Sequence, residues 1–315
     1  MPFKCLIIDP MHSSIIPLLS EIGIEPVYKP EITRKEVLEI IQDYPGLMLR
    51  SKLTVDKEIL DRAGKLKFIA RAGAGMDQID VADAESRGIV LFNASEGNMD
   101  AVGEHAIGML LCLMNNIRTG DREVRNKQWR REENRGYEIG GKTVGIVGYG
   151  YMGRSFARKI SSFGCNIVAY DIDKKNFSDG IAQEVSLETL KEQSDIVSFH
   201  IPLNAHNKNL VNLTYLQGFK KSIWLVNTAR GEILETSALI EQLKSGKILG
   251  ACLDVLENEK LNTLTPKQAQ ELEFLFLSDQ VIFTPHVAGW THESYYKINK
   301  VLAGKIKNSN ILYNY

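Results

Sequence analysis

Three segments in the second half of the sequence combine an apolar run with polar side chains suited to acid–base chemistry. Arg230 follows the run WLVNTA, Glu259 lies five positions beyond Asp254 in ACLDVLENE, and His286 follows VIFTP. Each run predicts a buried strand, and the carboxyl ends of parallel strands meet at one edge of a sheet, where such folds bind ligands. Any one of these residues alone could simply cap a strand. Together they predict one shared site.

An arginine, a carboxylate and an imidazole are the side chains that hydride transfer to or from a 2-hydroxy acid requires. A guanidinium is a permanently charged planar fork, so Arg230 is predicted to bind the carboxylate of the acid and to polarise its carbonyl. The imidazole of His286 is predicted to exchange the hydroxyl proton. A carboxylate at the other ring nitrogen would hold the tautomer, a role assigned to Glu259 with Glu257 as the alternative.

The stretch TVGIVGYGYMGRSFARKI predicts a dinucleotide site. Its glycines form G-x-G-x-x-G between a buried strand and a helix. Gly148 permits the tight turn, Gly150 lets a pyrophosphate approach the backbone, and Gly153 lets helix and strand pack closely. The N–H groups of Tyr151 and Met152, at the start of the helix, are expected to bind the phosphates.

An acidic residue at the end of the next strand indicates which dinucleotide is bound. Asp171 is expected to accept hydrogen bonds from the adenosine ribose hydroxyls and to repel a 2'-phosphate. Asp173 strengthens this preference, whereas the neighbouring Lys174 and Lys175 weaken it. NAD is therefore the predicted cofactor.

The elements that must position these residues are predicted along the whole sequence. Short apolar runs such as FKCLIID, GLMLR, LKFIA and NIVAYD alternate with amphipathic helices. One helix is predicted to start at Thr33, with a capping box closed by Glu36. The alternation predicts an α/β protein with two doubly wound parallel sheets. Residues 100–127 are predicted to form one long helix that connects the domains.

Composition excludes several classes of protein. In 315 residues, 38 Lys and Arg oppose 39 Asp and Glu, which leaves no excess charge for a nucleic acid or an anionic membrane. No apolar stretch approaches the roughly 18 residues of a membrane-spanning helix. Cysteines scattered singly are typical of reduced thiols in a cytoplasmic protein. The pairs His200 with His206 and His286 with His292 lack companion ligands, so no metal site is expected.

Taken in order, the segments GGKTVGIVGYGYMG, HIPL, NTARGEIL, ACLDVLENE and TPHVAGWTHES closely resemble the motifs of the D-isomer-specific 2-hydroxyacid dehydrogenases. The resemblance covers nearly the whole sequence. It implies that Arg230, Glu259 and His286 are the catalytic residues. It also implies further contacts with the adenine pocket and the nicotinamide, from His200, Ile201, Pro202, Thr228, Ala229 and Asp254.

The resemblance also implies a domain organisation that explains why about 140 residues precede the glycine motif. In this family a Rossmann domain that binds NAD, here residues 99–288, is inserted into a flavodoxin-like substrate domain, here residues 1–98 and 289–315. In the substrate domain, the glycine-rich segment ARAGAGMDQID is expected to bind the substrate carboxylate through the N–H groups of Ala74 and Gly75.

Other substrate contacts are expected from Arg50 and Ser51, which follow a predicted strand, and from Asn98 at the domain junction. Within the family, LRSKLTV and RAGAGMDQID are most similar to D-3-phosphoglycerate dehydrogenases, in which the matching arginine helps to hold the substrate phosphate. The resemblance therefore implies oxidation of 3-phosphoglycerate, a step of serine biosynthesis, with Arg50 and Lys52 near the phosphate.

Two alternatives stay open at this point. Departures from the family pattern, such as Lys260 directly after Glu259 and Gly103 before Glu104, leave a glyoxylate or hydroxypyruvate reductase as the alternative substrate assignment. A corepressor of the same fold that senses NAD without turnover is the alternative of a different class. Relatives pair through the region of residues 100–127, which implies a homodimer. Because the sequence ends at Tyr315, we expect no regulatory C-terminal domain.

Overall fold

The computed structural model describes residues 2–314, which divide into two compact units. The discontinuous unit contains the residues up to Met99 together with those from Trp290 onward, and the inserted unit is Asp100–Gly289. Each unit is built around its own parallel sheet.

The strands lie in chain order as β1 (Phe3–Ile7), β2 (Ile24–Tyr28), β3 (Gly46–Leu49), β4 (Phe68–Arg71), β5 (Val90–Phe92), β6 (Thr143–Val147), β7 (Asn166–Tyr170), β8 (Gln183–Glu184), β9 (Ile196–Phe199), β10 (Ile223–Asn227), β11 (Ile248–Leu253) and β12 (Val281–Phe283). The central strands are buried along their length because helices cover both faces of each sheet.

The α-helices are α1 (Ile15–Ser20), α2 (Arg34–Ile40), α3 (Lys57–Arg62), α4 (Val81–Ser86), α5 (Ser95–Met114), α6 (Ile117–Arg125), α7 (Tyr151–Ile160), α8 (Leu187–Gln193), α9 (Leu213–Gln217), α10 (Thr236–Lys244), α11 (Pro266–Leu277) and α12 (His292–Lys307). The predicted capping box of α2 is confirmed, since the side chains of Thr33 and Glu36 each accept the other's backbone N–H.

In the discontinuous unit the strand order is β2-β1-β3-β4-β5, with parallel pairing between neighbours. This is the flavodoxin-like order. The last helix, α12, belongs to this unit because Ile298, Leu302 and Ile306, spaced by four residues, pack in one apolar cluster with Phe68 of β4 and Ile7 of β1. Helix α12 thus packs against the sheet that contains β1.

In the inserted unit the order is β12-β11-β10-β9-β6-β7-β8, again parallel. Because β6 lies between β7 and β9, the strand order reverses there, and ligands of such sheets bind in the crevice at this reversal. The glycine motif begins at Gly148, directly after β6. The predicted fold class is confirmed by these two sheets.

The single long helix predicted for residues 100–127 is wrong. The chain forms α5 and α6 instead, and the break lies at Asn116, whose backbone has a φ of 53°. This left-handed conformation interrupts a right-handed helix, and asparagine tolerates it better than most residues because its short polar side chain can bond locally. Neither glycine nor proline stands at the break in the sequence, so the local residue types did not reveal it.

The packing of α12 predicts the effect of a substitution far from any proposed site. Leu302→Ala removes a side chain that is 0% exposed, so the free energy of unfolding should fall by about 2 to 5 kcal/mol. Chemical denaturation measures this loss. The matched control is Lys300→Ala on the exposed face of the same helix, which should stay within about 0.5 kcal/mol of the parent. Equal effects of the two substitutions would contradict the placement of α12.

Candidate active site

The ends of three neighbouring strands, β10, β11 and β12, are joined by backbone hydrogen bonds that continue past the sheet. The N–H of Asp254 donates to the carbonyl of Asn227 at 3.0 Å, that of Thr284 to Leu253 at 3.1 Å, and that of His286 to Asp254 at 2.8 Å. The turns that follow these strands are therefore fixed at the same edge of the inserted unit's sheet, as the sequence predicted.

The imidazole of His286 and the carboxylate of Glu259 form a close pair. Nδ1 of His286 lies 2.9 Å from Oε1 and 3.0 Å from Oε2 of Glu259. This contact directs the Nε2 side of the ring away from the carboxylate. Glu257, the alternative partner, instead accepts a hydrogen bond from the N–H of Thr236 at 3.0 Å, at the start of α10. The geometry favours Glu259 for the role beside the imidazole.

His286 has an unusual backbone conformation, with a φ of 55°. A non-glycine residue in this region carries strain of about 1 kcal/mol or more, so the surrounding structure must hold it. The carboxylate of Asp254, 1% exposed, does so by accepting the N–H of Val287 and of Ala288, each at 2.9 Å, and the hydroxyl of Thr284 at 2.5 Å. Asp254 is thus a positioning residue for the His286 turn, and its expected contact with a nicotinamide stays a prediction.

Sequence reasoning missed one member of this network. Nε2 of His105, on α5, lies 2.9 Å from the hydroxyl oxygen of Thr284 and 3.7 Å from the carboxylate of Asp254. The two residues are 179 positions apart in the sequence, and no local pattern connects them. The signal available was Thr284 itself, a hydroxyl residue directly at the end of a buried strand.

The turn that carries Arg230 is held by a buried amide. Asn227, which is 0% exposed, accepts the N–H of Ala229 at 3.1 Å and donates to the carbonyl of Arg230 at 2.9 Å. Nη1 of Arg230 donates to the carbonyl of Ala229 at 2.7 Å. A side chain at Gly231 would lie 1.9 Å from the carbonyl of Leu256. Glycine at this position therefore allows the Arg230 turn to contact the loop that leads to Glu259.

The three glycines of the motif differ in their backbone conformation and in the space that a side chain would have. Gly148 has a φ of 93°, and an added Cβ would lie 2.6 Å from the carbonyl of His200. At Gly153 a Cβ would lie 2.1 Å from the carbonyl of Gly148. Gly150 is in an extended conformation, and the atom nearest to its Cβ would be Nζ of Lys174 at 3.7 Å. The protein itself leaves room at Gly150, as expected where a pyrophosphate approaches the backbone.

The surroundings of Gly150 suit a dinucleotide in two further respects. Tyr151 and Met152 begin α7, and the helix start at Gly150 carries no side-chain cap, so the helix dipole faces the space above the turn. Asp171 accepts the N–H of Tyr149 at 2.8 Å, that of Lys174 at 3.0 Å and that of Asp173 at 3.1 Å. A carboxylate has about four acceptor positions, so capacity for a ribose hydroxyl remains.

A cation that sequence reasoning considered only for coenzyme preference also lies at this turn. Nζ of Lys174 donates to the carbonyl of Tyr149 at 3.1 Å, which places the ammonium directly beside the glycine motif. Two other residues predicted to bind the cofactor have contacts near the glycine motif or within their own loop, and their cofactor contacts stay a prediction. Ile201 approaches Gly148, and the carbonyl of Pro202 accepts from Asn207 at 3.0 Å.

Two polar groups beside the expected cofactor differ in their bonding. Among the described residues, the hydroxyl of Thr228 is buried and has no hydrogen-bond partner, so it is suited to a bound ligand. His200 instead bonds through Nε2 to the hydroxyl of Ser198 at 2.8 Å, and burial lowers the pKa of His200 to about 4. The ring is therefore neutral at pH 7 and is unsuited to be the acid of the reaction.

The residues expected to bind substrate from the discontinuous unit follow its strands. Within residues 2–314, no acceptor receives the N–H of Ala74 or of Gly75, and Oδ1 of Asn98 is buried without a partner. The carbonyl of Ser51 accepts from the side chain of Gln78 at 3.4 Å. Arg50 follows β3 and stacks on an aromatic ring. Of these groups, the N–H groups of Ala74 and Gly75 and the guanidinium of Arg50 are donors, which suit an anion.

One basic residue of this region was missed. The guanidinium of Arg71 occupies the space that a side chain at Gly73 would need, since Nη1 lies 1.6 Å from the position of an added Cβ. The cation thus lies against the glycine-rich loop. The ammonium of Lys52 donates a hydrogen bond to the backbone carbonyl of Pro30.

Comparison with known proteins agrees with this geometry. Residues 107–288 match the family described as D-isomer specific 2-hydroxyacid dehydrogenase, NAD binding domain. The chain is 33% identical over 307 residues to a D-3-phosphoglycerate dehydrogenase of Archaeoglobus fulgidus, a match that covers 97% of the chain and 57% of the relative. It is 32% identical over 298 residues to a hydroxypyruvate reductase of Thermotoga maritima, with 95% of each covered. The chain belongs to the D-isomer-specific 2-hydroxyacid dehydrogenase family.

A solved structure supports the assignment. A glyoxylate reductase from Paecilomyes thermophila superimposes with a TM-score of 0.85 at 27% identity, covering 98% of this chain and 95% of that one. The resemblance inferred from the motifs and the prediction of NAD as cofactor are thus confirmed. The chain spans 57% of the length of the phosphoglycerate dehydrogenase from Archaeoglobus fulgidus.

The described residues form neither a membrane-spanning helix nor a cluster of metal ligands. Among the helices within residues 2–314, none combines the length and the apolar character needed to span a membrane. In that same part of the chain, no group of three or more His, Cys, Asp and Glu side chains is arranged to hold a metal ion.

The glycine geometry predicts a separation between cofactor binding and stability. Gly150→Ala should lower the affinity for NADH by about tenfold or more, because the added methyl group occupies the space of the pyrophosphate, while stability stays within about 1 kcal/mol of the parent. Titration calorimetry and denaturation measure the two quantities. The matched control, Gly153→Ala, should destabilise the fold, since its Cβ would meet a carbonyl at 2.1 Å. Unchanged NADH affinity in Gly150→Ala would exclude this binding position.

The neutral His200 predicts a pH dependence of stability. Its pKa is about 4 in the folded chain against an ordinary value of 6.5, so the unfolded chain binds more protons between these values. The free energy of unfolding should therefore fall by about 3 kcal/mol as the pH is lowered from 6.5 to 4. Denaturation at several pH values should show this slope reduced in His200→Gln. The same slope in both proteins would contradict the assignment.

Proposed function

We propose that this chain is an NAD-dependent oxidoreductase that acts on the hydroxyl-bearing carbon of a small D-2-hydroxy acid. The observation that carries the proposal is the pairing of His286 with Glu259 at 2.9 Å, at the sheet edge that also bears the Arg230 turn. When bound, NAD accepts or supplies the hydride.

Three side chains of the inserted unit have separate roles in the proposed reaction. Nε2 of His286 takes the hydroxyl proton in oxidation and returns it in reduction. Glu259 holds the proton on Nδ1 and stabilises the imidazolium that forms. Arg230 binds the substrate carboxylate and polarises the carbonyl. In the discontinuous unit, we assign the N–H groups of Ala74 and Gly75 to the substrate carboxylate.

We propose 3-phosphoglycerate as the favoured substrate, oxidised at C2 to 3-phosphohydroxypyruvate in serine biosynthesis. Two observations support this choice. The relative from Archaeoglobus fulgidus is named as a D-3-phosphoglycerate dehydrogenase and aligns along nearly the whole chain. Arg50 supplies a cation directly after β3, and a guanidinium binds a phosphate through two parallel hydrogen bonds.

Reduction of glyoxylate or hydroxypyruvate is the second candidate. It is favoured by the length of the match to the hydroxypyruvate reductase of Thermotoga maritima, which is covered almost completely by this chain. The proposed roles of Arg230, Glu259 and His286 are the same in both candidates. The difference lies in whether the substrate carries a distal phosphate.

We also propose that two copies of the chain pair through residues 100–127 and the segment that follows. In α6 no residue is buried within the described structure, although Ile117 and Val124 are apolar and are 55% and 53% exposed. Trp129, shortly after this helix, is 83% exposed. Contact with a second copy would remove these side chains from water.

Turnover assays test the proposed function. With 3-phosphoglycerate, D-glycerate, D-lactate, glyoxylate and hydroxypyruvate, each with the matching form of NAD, at least one acid should be turned over. His286→Asn should lower kcat by about a hundredfold or more while NADH affinity stays unchanged, because the proton acceptor is lost. Binding of NADH without turnover of any acid would favour a sensor over an enzyme.

The same assays distinguish the two candidate substrates. Arg50→Ala should lower kcat/KM for 3-phosphoglycerate more than that for D-glycerate, since a charge-assisted contact to the phosphate is lost. The difference corresponds to about 1.5 to 3 kcal/mol of transition-state free energy. An equal loss for both acids would exclude the phosphate assignment. The reductase candidate then takes its place.

A further inference from the structure

The cation that follows β3 is fixed by its backbone. The N–H of Arg50 donates to Oδ2 of Asp9 at 2.6 Å, and Asp9 is 5% exposed. The buried carboxylate lies after β1, the neighbour of β3 in the sheet. The position at which the Arg50 side chain leaves the backbone is therefore set by two adjacent strands.

The guanidinium itself lies over an aromatic ring. Cζ of Arg50 is 3.8 Å from the centroid of the Trp290 ring and 5.5 Å from that of Tyr295. A guanidinium stacked in this way donates through the N–H groups in its plane. Trp290 thus determines the plane in which Arg50 presents those donors.

The charge of Arg50 is not fully compensated by its neighbours. Burial lowers the pKa of Arg50, and this effect exceeds the opposing effects of Tyr295 and Asp9. Arginine stays protonated in proteins, so the cation is retained at an energetic cost that a bound anion would reduce. Lys52, the nearest other cation in the sequence, directs its ammonium to the carbonyl of Pro30.

We propose that Trp290 determines specificity by holding Arg50 flat, so that the in-plane N–H groups of Arg50 bind a phosphate at the far end of a 2-hydroxy acid. This inference rests on the proposed function and adds to it a residue that contacts Arg50 without entering the chemistry. Trp290 is a positioning residue. Arg50 is itself partly exposed, so an anion can reach the stacked guanidinium.

Kinetics of three variants test the proposal. Trp290→Leu should raise KM for 3-phosphoglycerate by about tenfold, because stacking on the guanidinium is lost, and should leave kcat and the constants for D-glycerate unchanged. Trp290→Phe should keep most of the selectivity, since it retains an aromatic face. The control is Tyr296→Phe, in the first turns of α12 and 43% exposed, which should change neither constant. Equal effects of Trp290→Leu on both acids would overturn the proposal.

A binding measurement separates failure of this inference from failure of the proposed substrate. In the protein loaded with NADH, 3-phosphoglycerate should cause a saturable change in tryptophan fluorescence that is absent in Trp290→Phe and in Arg50→Ala. This change without turnover of 3-phosphoglycerate would support the role of Trp290 and refute the proposed substrate. Turnover that depends on Arg50 but not on Trp290 would overturn the inference and leave the substrate assignment intact.

Discussion

The candidate active site depends on one buried carboxylate. Asp254 is 1% exposed and accepts hydrogen bonds from two backbone N–H groups and one hydroxyl of the turn after β12. A buried charge is tolerated only when it is bonded in this way. Its acceptors are satisfied by the turn itself, so they hold His286 in a left-handed conformation that it would otherwise leave. Glu259 then contacts a ring whose position is already fixed. Both residues follow the carboxyl ends of parallel strands, the edge at which such sheets bind ligands.

Close approach of backbone segments is the second constraint, and glycine provides it at particular positions. Gly153 and Gly231 are required by neighbouring carbonyl groups, whereas Gly150 has open space around it. The first two maintain the turns on which the candidate site is built. Gly150 matters only if a ligand approaches, because neither the backbone conformation nor the packing demands glycine there. Contacts within the chain thus account for two of these positions, and the predicted approach of a pyrophosphate to Gly150 remains the reason proposed for the third.

The sequence predicted the two parallel sheets well, because buried strands and capped helices are encoded in short segments such as β6 and the start of α2. It also predicted that Glu259 and His286 belong together, although it left Glu257 open, since spacing alone cannot separate two carboxylates two positions apart. The break at Asn116, the contact of His105 with Thr284 and the stacking of Arg50 on Trp290 were not predicted. Each depends on a backbone conformation or on a tertiary contact between distant residues, for which no local pattern exists.

The proposed chemistry requires Glu259 to hold the proton of the neutral His286 ring on Nδ1, so that Nε2 is the nitrogen that exchanges a proton with substrate. Nitrogen-15 NMR of the labelled imidazoles, with the resonances assigned by comparison with a variant lacking His286, reports the tautomer directly. We expect a protonated Nδ1 in the neutral ring, and loss of this preference when Glu259 is replaced by glutamine. A proton on Nε2, or a tautomer that is unaffected by that replacement, would contradict it.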